Sequence, residues 1–441
     1  MRPREAGVTR LAVVLAFACG CYHPSAETGQ PCADNGACPD GQRCDLSQSP
    51  PVCVTGAGGG GSDAGLGGDG SGGGARDGAI GRDGPAVGGS GCRGDLECVS
   101  GACEESTGSC VDETTVVFVS AAGDGSGLGT RGDPVASITA ALALTTASRS
   151  FIAVEPGTYT ENVAATTAIA ISGPGSGGTA TLAGEVLVEG NAPTLLVESM
   201  AVTTTSGNCV DFETSTTIGT LFGDIIGPCE ADGVQVRGGL TARNVTVTGA
   251  GNNGFNLESS SGTVDIEQSV VSGARTGVTV KQGVATIRNV LISGSTQQGI
   301  ELQGGPGGGG GGGASAVIDF VTVVGTANVG SRRAIQCQMA GAGVPVVTNS
   351  LFANNGTAPE VDSNCAVSFS LWDDTSTVLT GSNDLADMTP AFDAAATGDF
   401  HLSIGSPGID GGDPTSTVHV DLDGTPRPLG AGFDCGAFES H

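Results

Sequence analysis

The sequence predicts an all-β fold, a parallel β-solenoid with coils of about 22 residues, preceded by small disulfide-rich modules and a disordered linker. Three observations point there. Short alternating segments recur, led by Cys209, Gly233, Gly254, Gly277, Gly299 and Ala334, and their first apolar residues are Val210, Val234, Phe255, Val278, Ile300 and Ile335, spaced 24, 21, 23, 22 and 35 apart. A second apolar column, Phe212, Val236, Leu257, Val280, Leu302 and Cys337, lies two residues further on, on the same face of each strand. Outward charges then alternate in sign from coil to coil, as Glu213, Arg237, Glu258, Lys281 and as Arg243, Glu267, Arg288, Asp319. Strands about 4.8 Å apart set each charge against its opposite, worth a few tenths to about 1 kcal/mol per exposed pair.

At the N-terminus Arg2, Arg4 and Arg10 precede the apolar run Leu11 to Ala18. Eight residues fall short of the roughly 20 needed to span a bilayer, so residues 1–20 read as a signal peptide. The run ends Ala18-Cys19-Gly20-Cys21, which resembles the lipobox of bacterial lipoproteins. That resemblance implies acylation of Cys21, with Cys19 as the rival, and display on the bacterial outer membrane or cell surface. Ordinary cleavage near Ala18 and free secretion is the alternative.

Residues 21–53 carry Cys32, Cys38, Cys44 and Cys53, and residues 92–114 carry Cys92, Cys98, Cys103 and Cys110. Segments this short and polar cannot bury enough surface to fold, so two disulfides in each are the expected staple, in any of three pairings. Neither cluster has a Cys-x-x-Cys pair or a histidine at ligand spacing, so zinc is not expected. Between them, 54–91 is Gly, Ser, Ala and Asp, a flexible linker.

Residues 115–400 are the solenoid and 401–441 its closing segment. A second strand repeats with the first, and Asn244, Gln268, Asn289 and Asn349 share one slot in it, where asparagine suits a turn and stacked amides can bond along a ladder. The glycine run 304–313 reads as a looped insertion. Cys209 and Cys229 are one coil apart, and Cys337 and Cys365 flank another coil, so both pairs are disulfide candidates, leaving Cys435 as a buried thiol.

The stretch Phe118-Val119-Ser120 with Gly123-Asp124-Gly125, then Pro134 to Leu144, then Ile152 to Asn162, is similar to the entry segment of bacterial right-handed parallel β-helix proteins of the pectin-lyase-like class. The resemblance covers about 116–400 and implies a capping helix, which residues 137–147 fit with Ser137 as N-cap. Ser406-Pro407-Gly408-Ile409-Asp410-Gly411-Gly412, Asp421 to Pro428 and Phe433 to Glu439 resemble the closing segment of surface-anchored β-helix proteins of the choice-of-anchor type, which implies a cap on the last coil. For activity these resemblances are nearly silent, because one fold hosts many functions.

The chain has 441 residues, a net charge of −29 and one lysine, so no basic stripe for nucleic acid exists. An inverting glycosidase needs two carboxylates, and Asp211 and Asp232 on successive coils are the candidates for acid and base. The paired Asp motifs and the His-Gly and Arg-x-Lys motifs of β-helix polygalacturonases are absent, and none of the four histidines lies in the central coils. No metal or other cofactor is expected; calcium at Asp421-Leu422-Asp423-Gly424 lacks a third ligand. The function expected is that of a surface-displayed, lipid-anchored, non-enzymatic β-helix protein contacting cell-surface or environmental polysaccharide. The alternative is a polysaccharide lyase or glycoside hydrolase.

Overall fold

The computed structural model describes residues 91–440, apart from 191–193, 260–261, 304–313, 328–331, 339–343, 357–358 and 376–380, together with the short strands Gln42–Asp45 and Val52–Thr55. The chain divides into two compact units, 1–81 and 82–441. In the first, the two short strands pair antiparallel with Cys44 opposite Cys53. Cys19, Cys21, Cys32, Cys38, the linker and the glycine run all lie outside the described residues, as do the side chains of Cys44 and Cys53.

The second unit is a parallel β-solenoid. One face is an eight-stranded sheet, from Val163–Ala165 through Val210–Phe212, Val234–Val236, Asn253–Leu257, Thr276–Val280 and Gln298–Leu302 to Ile335–Cys337. Val210, Val234, Phe255, Val278, Ile300 and Ile335 pair successively in register and each is fully buried. The second apolar column stacks in the same way. The leading glycines are required by contact: a Cβ on Gly277 would lie 2.4 Å from Ile292 Cγ2 and 2.6 Å from the Gly299 carbonyl oxygen, and Gly254 and Gly299 meet the same crowding from Val271 and Val323. Glycine therefore allows the sheet to close onto the neighbouring face.

That neighbouring surface is a ladder of long strands, among them Thr263–Ser272, Gly283–Ser293 and Ala314–Val324. Each bends through a corner where one residue takes positive φ: Asn244 at 55°, Gln268 at 46°, Asn289 at 50°, Phe320 at 54° and Asn349 at 53°. Asparagine tolerates this region; a phenylalanine there costs about 1–2 kcal/mol, offset here by its full burial. The expected amide ladder along this corner does not form. Asn289 Oδ1 has no hydrogen-bond partner, and the amides turn to other groups instead, because the corner directs them toward the closing segment.

Ion pairs run along both outward columns, Arg237–Glu258 at 3.6 Å and Lys281–Glu258 at 2.6 Å on one, Arg243–Glu267 at 2.9 Å and Arg288–Glu267 at 3.1 Å on the other. Disulfides join Cys209 to Cys229 and Cys337 to Cys365, and Cys435 is a buried free thiol. The entry helix is Ile138–Leu144, capped by Ser137 Oγ accepting the Ala140 N–H at 3.1 Å; it ends earlier than expected because Thr145 is already extended.

The closing segment straps the flank across several coils. Gln268 and Asn289 donate to the carbonyls of Asp421 and Val420, Gly436 N–H to the Asn349 carbonyl at 2.7 Å, and Ala437 N–H to Thr322 Oγ1 at 2.8 Å. Leu402, Cys435, Ala437 and Phe438 pack with Leu291, Val324, Leu351 and Leu371. Arg427 pins the strap: its guanidinium lies 4.1 Å over the Phe320 ring and bonds Glu439 at 2.7 Å, both side chains fully enclosed. Asp421 makes a turn, accepting the Asp423 and Thr425 N–H groups through Oδ1. Replacing Arg427 by Met should strand the Glu439 carboxylate and cost about 3–5 kcal/mol, read as a lower denaturant midpoint with the loss concentrated in the strap by hydrogen exchange.

Candidate binding groove

Alternate residues of a strand face opposite sides, so the residue between the two apolar columns of the eight-stranded sheet points outward. These form one file: Leu187, Asp211, Gln235, Asn256, Thr279, Glu301 and Gln336, each paired with the next. Although outward, Asp211, Gln235, Asn256 and Thr279 are at most 9 % exposed, because residues at the strand entrances cover them. The sheet thus presents a polar floor.

Lateral hydrogen bonds hold this floor. Asn208 Nδ2 donates to Asp211 Oδ2 at 2.9 Å and to Gln235 Oε1 at 2.8 Å, while Asn208 Oδ1 accepts the Asp232 N–H at 3.0 Å. Asp232 Oδ1 accepts from the Asn253 N–H and Nδ2 at 2.9 and 2.8 Å, and its Oδ2 from Asn256 Nδ2 at 2.6 Å. Thr279 donates to Asn253 Oδ1 at 2.7 Å. The structure therefore brings Asp211 and Asp232 into one network through Asn208. It gives them different conditions. Both oxygens of Asp232 accept from amides. Asp211 Oδ1 is buried without a hydrogen bond, with the Arg237 guanidinium 4.0 Å away, and burial raises the Asp211 carboxyl above its ordinary range against the opposing effects of Asn208 and Arg237.

Further along the same face the floor opens into a groove of about 300 Å³, lined by Asn253, Arg275, Thr279, Lys281, Glu301 and Arg332 among others. Arg275 and Lys281 flank the strand Thr276–Val280 and Arg332 precedes Ile335–Cys337, two coils further on, in a solenoid with 10 basic and 31 acidic residues over 115–441. Lys281 is held by Glu258, and Arg332 donates to Gln298 Oε1 at 3.0 Å. Arg275 is exposed at the rim. The lining holds no aromatic ring, so a ligand here would be gripped by amide, hydroxyl and guanidinium groups rather than by stacking. The sequence marks Arg275 and Lys281 as a nearby basic pair but gives no sign of Arg332, whose approach depends on how the loop before Ile335–Cys337 folds back.

Among the described residues, the only three groups of cysteine, histidine or carboxylate close enough together to hold an ion are Cys92, Cys98 and Cys110, whose sulfurs are engaged in the disulfides Cys92–Cys103 and Cys98–Cys110. No helix among those residues is long and apolar enough to cross a membrane.

No protein-family model and no curated protein matches this chain. Among solved structures it is similar to the pectate lyase Pel9A, at 17 % identity over 75 % of this chain and 98 % of that one, with a TM-score of 0.49. It is also similar to the Dettilon tailspike protein, at 11 % identity over 62 % of each chain, and to the pectin methylesterase from Aspergillus niger, at 12 % identity over 63 % of this chain and 87 % of that one, both with a TM-score of 0.33. The likeness is one of fold.

The two acids should separate in mutagenesis. Asp232→Ala leaves three amide donors without an acceptor and should cost about 1–3 kcal/mol in chemical denaturation. Asp211→Asn should be neutral or stabilising at pH 7, and that difference should shrink as the pH falls below the ordinary aspartate value of 3.8, where the wild-type carboxyl is protonated in both states.

Proposed function

We propose that this chain is a surface-displayed, lipid-anchored, non-enzymatic β-helix protein that holds a polysaccharide segment in the groove of its eight-stranded sheet. The observation that carries this reading is the groove at the end of the polar file, where amides, hydroxyls, Lys281 and the guanidinium groups of Arg275 and Arg332 line one opening. Sugars present hydroxyls at regular intervals, and a solenoid face offers partners at a matching regularity. The lipid anchor rests on Cys21 and the apolar run before it.

The absence of turnover rests on the condition of the two acids. A general acid and base must reach the bond they cleave. Asp232 accepts three hydrogen bonds from the protein itself, so both its oxygens are already engaged in holding the floor. The enzyme reading retains one favourable observation, the raised carboxyl of Asp211 with its unoccupied oxygen.

A glycan array probed with the full-length protein, run beside assays for reducing ends and unsaturated products, separates the two. The expected result is retention of at least one polysaccharide without product, weakened about tenfold or more by Arg275→Ala combined with Arg332→Ala, the equivalent of about 1.4 kcal/mol. Product formation abolished by Asp211→Asn would instead make this an enzyme.

A further inference from the structure

The disulfide module, residues 91–115, is docked on the solenoid through carboxylates, buried on the solenoid side at Glu198 and half-buried on the module side at Glu105. Glu198, at the end of strand Thr194–Glu198, is fully buried. Its Oε1 accepts the Glu105 N–H at 3.1 Å and the Ser172 hydroxyl at 2.9 Å; its Oε2 accepts the Ser106 N–H at 3.1 Å. Glu105 answers from the module: its Oε2 accepts the Ser199 hydroxyl at 2.7 Å. Its other oxygen is buried against Gly175 and accepts from nothing. Asp95 Oδ1 accepts the Cys103 N–H at 2.9 Å, and Asp224, buried in the next coil, accepts the Met200 and Phe222 N–H groups.

No cation balances these four acids. Among the described residues none of Asp95, Glu105, Glu198 and Asp224 forms an ion pair. The other charged groups around the junction are Arg93, Glu97 and Glu104 on the module, and Arg131 and Glu155 on the solenoid. Arg131 spends its guanidinium on the Val99 carbonyl at 2.9 Å, and Arg93 is exposed. A buried interface rich in acids and poor in bases favours bound protons.

We propose that docking of the 91–115 module on the solenoid is proton-linked, tightening as the medium acidifies and loosening as pH rises through neutrality. The backbone N–H groups that Glu198 accepts keep the module in register, and protons relieve the repulsion among its neighbours. Burial pushes Asp95 from 3.8 up to about 7 and raises Glu105, Glu198 and Asp224 as well. An acid whose pKa is higher when docked binds protons preferentially in that state. The stabilisation is therefore fully present below about pH 4 and is lost as pH rises to about 7.

Hydrogen exchange on the full-length protein tests this, with rates corrected for the intrinsic pH dependence of exchange. Protection of the Cys103, Glu105 and Ser106 amides should fall by about tenfold or more between pH 5 and pH 8. The amides of Val278 and Ile287 in the solenoid interior should keep theirs. Asp95→Asn combined with Glu105→Gln should flatten the module's profile, and Glu113→Gln, an exposed control, should not. Protection independent of pH in the wild type overturns the proposal, as does a loss shared equally by the solenoid interior. Should the double variant fail to fold, the wild-type profile and the exposed control still decide.

Discussion

Everything in this molecule follows from strands stacking parallel and in register at a spacing of about 4.8 Å. In such a stack each residue's nearest neighbour is its counterpart one coil away. A side chain that crowds or repels its own kind is penalised at every level. Apolar columns, glycine columns and columns of alternating charge are the arrangements that satisfy the condition. The pairing of Val234, Phe255, Val278 and Ile300 obeys it inside, and Arg243, Glu267 and Arg288 obey it outside.

The same condition creates the candidate groove. Where a column consists of amides and hydroxyls, the groups bond sideways and form a floor, as Asn208, Asp211, Asp232 and Asn256 do. An open stack also needs its flank and its entry secured. The closing strap secures the flank with a buried Arg427–Glu439 pair set over Phe320, and the disulfide module secures the other end through Glu198. One device uses a balanced pair and the other a group of unbalanced acids. Their responses to pH should differ accordingly.

Columns repeat, so they can be read from one sequence: the apolar files, both charge ladders, the Ser137 cap and the pairing of cysteines one coil apart were all legible. Features built from residues far apart and occurring once were not. Nothing local tells that Asn289 bonds Val420, or that Glu198 receives Glu105 and Ser106. The amide corner was misjudged for an instructive reason. Positive φ was correctly expected of Asn244 and Asn289, but the Gln268 and Asn289 amides stand beside a segment 153 and 131 residues away that offers them carbonyl acceptors. For the groove, Asp211 with Asp232 and Arg275 with Lys281 were legible as near neighbours, whereas Arg332 joins them from a loop two coils on.

Register is the claim on which the rest stands, and engineered disulfides measure it directly. Thr286 pairs with Val317 on adjacent coils, whereas Val284 pairs with Ser315. Cysteines introduced as Thr286→Cys with Val317→Cys should form a disulfide on mild oxidation, since paired outward positions fall within bridging distance, and Val284→Cys with Val317→Cys should stay reduced. Efficient closure of the second pair and failure of the first would mean the coils are stacked two residues out of register and would contradict the account.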